Sequence, residues 1–93
     1  MIKSFADTEA ERIFRREFSR KLPGDIQSIA LRKLRMLNNA HGINDLRLPP
    51  ANRLEKLSAD RQGQYSIRIN DRWRVCFTWQ DGDACDVEIT YYH

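Results

Sequence analysis

"YSIRINDRWRVCFTWQDGDACDVEITYY", residues 65–92, decides the fold. It holds three apolar-alternating runs, "YSIRI", "WRVCFTW" and "ACDVEITYY", and alternation with a period of two belongs to strands that bury one face. The apolar set is odd-numbered throughout: Tyr65, Ile67, Ile69, then Trp73, Val75, Phe77, Trp79, then Cys85, Val87, Ile89, Tyr91. Core must face core across each hairpin, so this parity constrains the turns. Three-residue connections are expected at 70–72 and 80–82, with Gly82 in the left-handed position of a bulged turn. The even-numbered residues then share an open face: Ser66, Arg68, Arg74, Cys76, Thr78, Asp86, Glu88, Thr90 and Tyr92. Ile67 pairs with Val75 in this register, which sets Arg68 opposite Arg74. Like charges placed so destabilise a sheet unless something neutralises them. Glu88, expected opposite Arg74 across the last hairpin, supplies part of that. Cys85 is expected toward the core and Cys76 toward the open face, which argues against a disulfide between them.

Upstream the periodicity is helical. In "ADTEAERIFRREFSRKL", Asp7 or Thr8 can cap, Thr8 and Glu11 have capping-box spacing, and Ala10, Ile13, Phe14 and Phe18 form one stripe. "PGD" at 23–25 ends that helix, and Asp25 can cap a second whose stripe is Ile26, Ile29, Ala30, Leu34 and Leu37. Gly42 suits its C-terminal cap, with His41 meeting the last carbonyls. Two adjacent prolines in "INDLRLPPANRLEKL" exclude a central strand and predict an extended linker, followed by a strand near 53–57. The expectation is an α+β fold, an N-terminal helical hairpin packed on one face of a small, mainly antiparallel sheet of about four strands.

Ninety-three residues suffice for one modest core, and no repeat, low-complexity segment or interdomain linker is visible. No run approaches the roughly 20 apolar residues of a membrane span, and the start lacks the apolar region of a signal peptide, so a cytoplasmic location is expected. Two cysteines are too few for a metal site. Residues 1–57 carry twelve Lys or Arg against seven Asp or Glu, a balance of +5, whereas residues 58–93 carry four against six, a balance of −2. That skew suits a polyanion or an acidic protein partner.

"NRLEKLSADRQGQYSIRINDRWRVCFTW", the terminal "VEITYYH" and the opening "MIKSF" resemble the HigB toxins of the RelE superfamily, also called plasmid-maintenance killer proteins. The resemblance covers essentially the whole chain and implies a single toxin domain over residues 1–93. It further implies ribosome-dependent endonuclease activity on messenger RNA and neutralisation by a HigA-like helix-turn-helix antitoxin, through which alone operator DNA would be bound. Its sheet arginine matches Arg74, and its terminal tyrosine and histidine match Tyr92 and His93. Relatives often carry a His and a Lys in the loop where this chain has Glu55, Lys56 and Ser58, and an Asp where it has Tyr91.

The implied chemistry needs no metal or cofactor, because the 2'-hydroxyl of RNA can attack the adjacent phosphate once it is deprotonated. A base, an acid and positive charge are required, each proton transfer contributing about 10²- to 10⁴-fold. His93 fits a proton transfer, Arg74 fits phosphate stabilisation, Tyr92 can stack on a base or orient the phosphate, and Glu55 or Lys56 can complete the transfers. Arg53, Arg61 and Arg68 are candidate RNA-contacting cations. On this reading the chain stops where its active site does. The competing reading is a noncatalytic RNA- or antitoxin-binding module acting as co-repressor with the HigA-like partner, and the loop departures keep it open.

Overall fold

The computed structural model describes residues 1–92, with the side chain of Ala59 outside the description. Helix α1 spans Thr8–Phe14, and Asp7 is its cap, the carboxylate accepting from the Glu9 N–H at 2.9 Å. The helix is shorter than its apolar stripe predicted. Arg16 turns left-handed at φ 64°, and Phe18, expected in the core, is 68% exposed. Tertiary hydrogen bonds win over local periodicity here. Buried Ser19 donates its hydroxyl to Glu9 at 2.6 Å, and its backbone N–H and C=O are both taken by the Gln27 amide, at 3.0 and 2.7 Å. These bonds would be lost if the helix continued.

Helix α2 spans Gly24–Asn39 and buries Ile26, Ala30, Leu34 and Leu37, as the stripe predicted. Pro23, not Asp25, is the residue before it; Asp25 lies in the first turn, where its charge meets the positive end of the helix dipole. At the other end the cap is Ala40 rather than Gly42. The Asp45 carboxylate instead accepts from the backbone N–H groups of His41 and Gly42, which starts the 3₁₀ turn Ile43–Arg47 and holds the Asp45 carboxyl below its ordinary pKa. The proline segment folds as a second 3₁₀ turn, Pro50–Asn52. Asn52 is fully buried and ties this segment down: it donates to the Leu46 and Leu48 carbonyls and accepts from Lys33 Nζ at 2.6 Å.

Strands β1 (Glu55–Lys56), β2 (Gln64–Arg68), β3 (Trp73–Gln80) and β4 (Asp83–Tyr91) form an antiparallel sheet in the order β1-β2-β3-β4. The β2–β3 register is the expected one, with Ile67 opposite Val75 and Arg68 opposite Arg74. The β3–β4 turn differs. Gln80 pairs with Asp83, so the loop is the two residues Asp81 and Gly82, both at positive φ (51° and 82°) as a type I′ turn requires.

The extra residue lies further along, at a bulge. Thr78 pairs with Cys85 but Cys76 with Glu88, so β4 carries one residue more than β3 between those pairs, and Asp86 there has φ 52°. Parity therefore flips within β4. Ala84 is fully buried, Cys85 lies on the side opposite to the one predicted, and beyond the bulge Val87 and Ile89 face the core. Residues 1–6 run parallel along the outer edge of β4. Lys3 N–H donates to Ala84 at 2.8 Å, Ala6 N–H to Val87 at 2.9 Å, and Val87 N–H to Ser4 at 3.1 Å.

Ile67, Val75, Phe77, Ala84 and Val87 from the sheet meet Ala10, Ile13, Ile26, Ala30, Leu34, Leu37 and Leu46 in one apolar cluster. Helices cover this face only, which leaves the even-numbered side of β2 and β3 for other uses.

Candidate active site

Two ladders of opposed residues cross the uncovered sheet face. One runs Glu55, Ser66, Cys76, Glu88, and its neighbour runs Arg68, Arg74, Thr90. The face is less open than parity alone implied, since Ser66 and Cys76 are 2% and 3% exposed. Arg61 reaches across this side of the sheet. It sits on the 3₁₀ turn Ala59–Arg61 between β1 and β2, and its Nη1 donates to Gln64 at 3.0 Å and to Glu88 at 2.5 Å. Because Gln64 belongs to β2 and Glu88 to β4, the guanidinium spans β3.

The bulge decides the partners. Glu88 lies opposite Cys76 rather than Arg74, and its ion pair is with Arg61, whose pKa is raised first by that hydrogen bond. Arg74 lies opposite Thr90 and finds other company: its Nη1 donates to the Asn70 and Trp73 carbonyls, and its guanidinium carbon stands 4.6 Å from the centre of the Tyr92 ring. Arg68 is paired with Asp71. The facing arginines Arg68 and Arg74 are thus each engaged separately, which removes the conflict expected of a like-charge pair. Cys76 Sγ lies 3.3 Å from Thr90 Oγ1, and burial raises its pKa above the ordinary thiol value, so it persists as a neutral thiol amid these charges.

Of the residues singled out from sequence, Glu55, Arg61, Arg68, Arg74 and Tyr92 belong to this face or reach across it. Lys56 pairs with Tyr65 and alternates to the other side. Arg53 is exposed at the end of the Pro50–Asn52 turn, and no described contact joins it to the cluster. Tyr92 is 49% exposed, and its N–H donates to the Arg72 carbonyl at 2.5 Å, which fixes the backbone beside Arg74. Tyr91, on the core side by parity, is 47% exposed, its ring edge-on to Trp73 at 5.2 Å. His93 lies outside the described residues. Gln64 and the Arg61–Glu88 pair were not anticipated. "DG" at 81–82, the usual dipeptide of a two-residue turn, signals the bulge that moves Glu88 away from Arg74, but nothing in the sequence points to Arg61 and Gln64 as the groups it meets.

No group of three or more His, Cys, Asp or Glu among the described residues could hold a metal ion. Nor is any described helix long and apolar enough to cross a membrane. What the face offers is three guanidiniums, one half-exposed aromatic ring and two carboxylates, a set suited to a phosphodiester and a base.

Two helices on a four-stranded antiparallel sheet define the class, a small α+β fold of the RelE type. A mutant of YafQ from E. coli superposes with a TM-score of 0.63 at 11% identity, covering 98% of this chain and 93% of its own. The toxin–antitoxin complex YoeB–YefM from Staphylococcus aureus does so with 0.61 at 20% identity, covering 100% and 98%. The family model for the RelE-like toxin of the type II toxin–antitoxin system HigB matches residues 3–93, and the chain belongs to that HigB-like family. The toxin HigB-1 of Vibrio cholerae is 40% identical over 70 residues, 75% of this chain and 74% of that protein. The endoribonuclease HigB of Proteus vulgaris is 28% identical over the full length of both.

Proposed function

We propose that this toxin is a ribosome-dependent endoribonuclease that cuts messenger RNA without a metal and so inhibits translation. The observation that carries the reading is the Arg74–Tyr92 pair. A guanidinium and an exposed ring stand 4.6 Å apart on the sheet face free of helices, where a phosphate and its base can be held together. The full-length relative from Proteus vulgaris, named an endoribonuclease, lends support.

In this scheme a base removes the 2'-hydroxyl proton, the 2'-oxygen forms a bond to phosphorus, and the bond to the 5'-oxygen breaks as an acid protonates it. The products are a 2',3'-cyclic phosphate and a 5'-hydroxyl. Arg74 stabilises the charge on the phosphorane, Tyr92 orients the nucleotide, and His93 with Glu55 moves the protons. Arg53, Arg61 and Arg68 contact the RNA backbone. Residues 1–93 act as one domain, partnered by a HigA-like helix-turn-helix antitoxin that alone contacts operator DNA.

The test is cleavage of one messenger, naked and in a programmed translation complex, with end-group analysis. Cleavage in the complex with cyclic-phosphate ends, and little on naked RNA, is expected. Equal rates on both would refute ribosome dependence, and folded, growth-arresting toxin that cuts neither would refute the nuclease.

A further inference from the structure

Glu88 has no part in the chemistry set out above, yet the structure commits it to Arg61. Both acceptors on Arg61, Gln64 Oε1 and Glu88 Oε1, hold the same nitrogen, Nη1. Among the described residues no acceptor takes its Nε or Nη2. The guanidinium is tethered at one corner with its remaining donors available, and its side chain is 42% exposed against 24% for Glu88. Two parallel N–H groups of a guanidinium match two phosphate oxygens. An untethered arginine on a surface turn would lose its rotamer freedom on binding, whereas the tether removes that freedom beforehand. Glu88, which holds Arg61, lies opposite Cys76, and Arg74 stands on the adjoining ladder two residues along the same face of β3, so both guanidiniums belong to one patch of sheet.

We propose that Glu88 and Gln64 are positioning residues, holding Arg61 beside Arg74 as the second guanidinium of a phosphodiester site. The proposal rests on the endoribonuclease reading. The phosphorane carries more negative charge than the diester, so the Arg61 contact strengthens toward the transition state and its loss falls on kcat rather than KM.

The experiment is a double-mutant cycle on cleavage in the programmed translation complex. Arg61→Ala should lower kcat about 10²-fold. Glu88→Ala should lower it roughly 10-fold with little change in KM, since a misplaced group can cost up to about 10²-fold. Glu88→Gln, which keeps the acceptor oxygen, should recover most of that loss. In the Arg61→Ala background Glu88→Ala should cost nothing further, because its effect passes through Arg61. An equal cost in both backgrounds would make Glu88 an independent base and overturn the proposal. A rise in kcat would also overturn it, since Glu88 would then be restraining Arg61 from the phosphate. Thermal unfolding checks each variant; if Glu88→Ala does not fold, the cycle is run with Gln64→Ala, and additivity there overturns the proposal equally. Wild-type toxin that cleaves nothing fails the endoribonuclease reading itself, whereas cleaving wild type with an unaffected Glu88→Ala fails only the positioning role.

Discussion

Arg74 stacks its guanidinium on an exposed ring at the sheet surface, while Val75, one residue on, is fully buried in the core. Substitutions at the two positions should therefore separate activity from stability. Arg74→Ala removes a part-exposed cation whose ring contact is worth about 0.5–1 kcal/mol and which has no ion pair among the described residues. Cleavage should nonetheless fall roughly 10²- to 10³-fold, the usual consequence of losing a donor to the transition-state charge. Val75→Asp should unfold the protein by burying an unpaired charge. Urea denaturation and the cleavage assay measure both; an unfolded Arg74→Ala beside a folded Val75→Asp would show the faces to be assigned backwards. At this scale the sequence was legible where alternation is uninterrupted, as in the Ile67–Val75 and Arg68–Arg74 pairs. It was not legible for the partner of Arg74, because cross-strand partners depend on every residue between them and the turn.

The β3–β4 hairpin is the element where one residue changed the outcome. Alternation in "ACDVEITYY" is consistent with a three-residue turn only if the strand is regular, and the left-handed Asp86 breaks that condition. Counting apolar residues cannot reveal a bulge, since its cost is local and its compensation, the Asp86 N–H donating to Ser4 Oγ at 2.8 Å, comes from the far end of the chain. Helix α1 shows the same limitation: its stripe ran on to Phe18, but Ser19, Gln27 and Glu9 form hydrogen bonds that periodicity does not register. The two-residue turn is testable at Gly82, where φ is 82° and the nearest atom to an added Cβ is a backbone oxygen at 3.9 Å, so strain and not crowding sets the effect. Gly82→Val should lower stability by about 1–2 kcal/mol, the cost of a left-handed conformation, while Gly82→Asn should cost clearly less. Equal losses in urea denaturation would contradict the turn assignment.

For the whole molecule, the two-layer α+β arrangement followed from helical and strand periods that are each strong and well separated along the chain. The site was legible as a sheet face but not as a cluster, because Arg61 reaches it from a loop that carries no periodic signal. Charge is distributed unevenly, +5 over residues 1–57, and this favours an antitoxin that meets the toxin through opposite charge as well as apolar contact. Raising salt should slow association of toxin with antitoxin more than it speeds dissociation, as stopped-flow and dissociation measurements would report; association independent of salt would count against charge complementarity. The parallel pairing of residues 1–6 with β4 also bears on how the toxin comes into being. Met1 and Ser4 accept hydrogen bonds from Ala84, Val87 and Asp86, so residues 1–6 find their partners only once β4, some eighty residues later, is in place. The same strand carries Glu88 and leads into Tyr92. Until β4 has formed, a folding chain therefore has neither this edge pairing nor the ladder that carries Glu88, and a product cut short before β4 lacks the uncovered sheet face altogether.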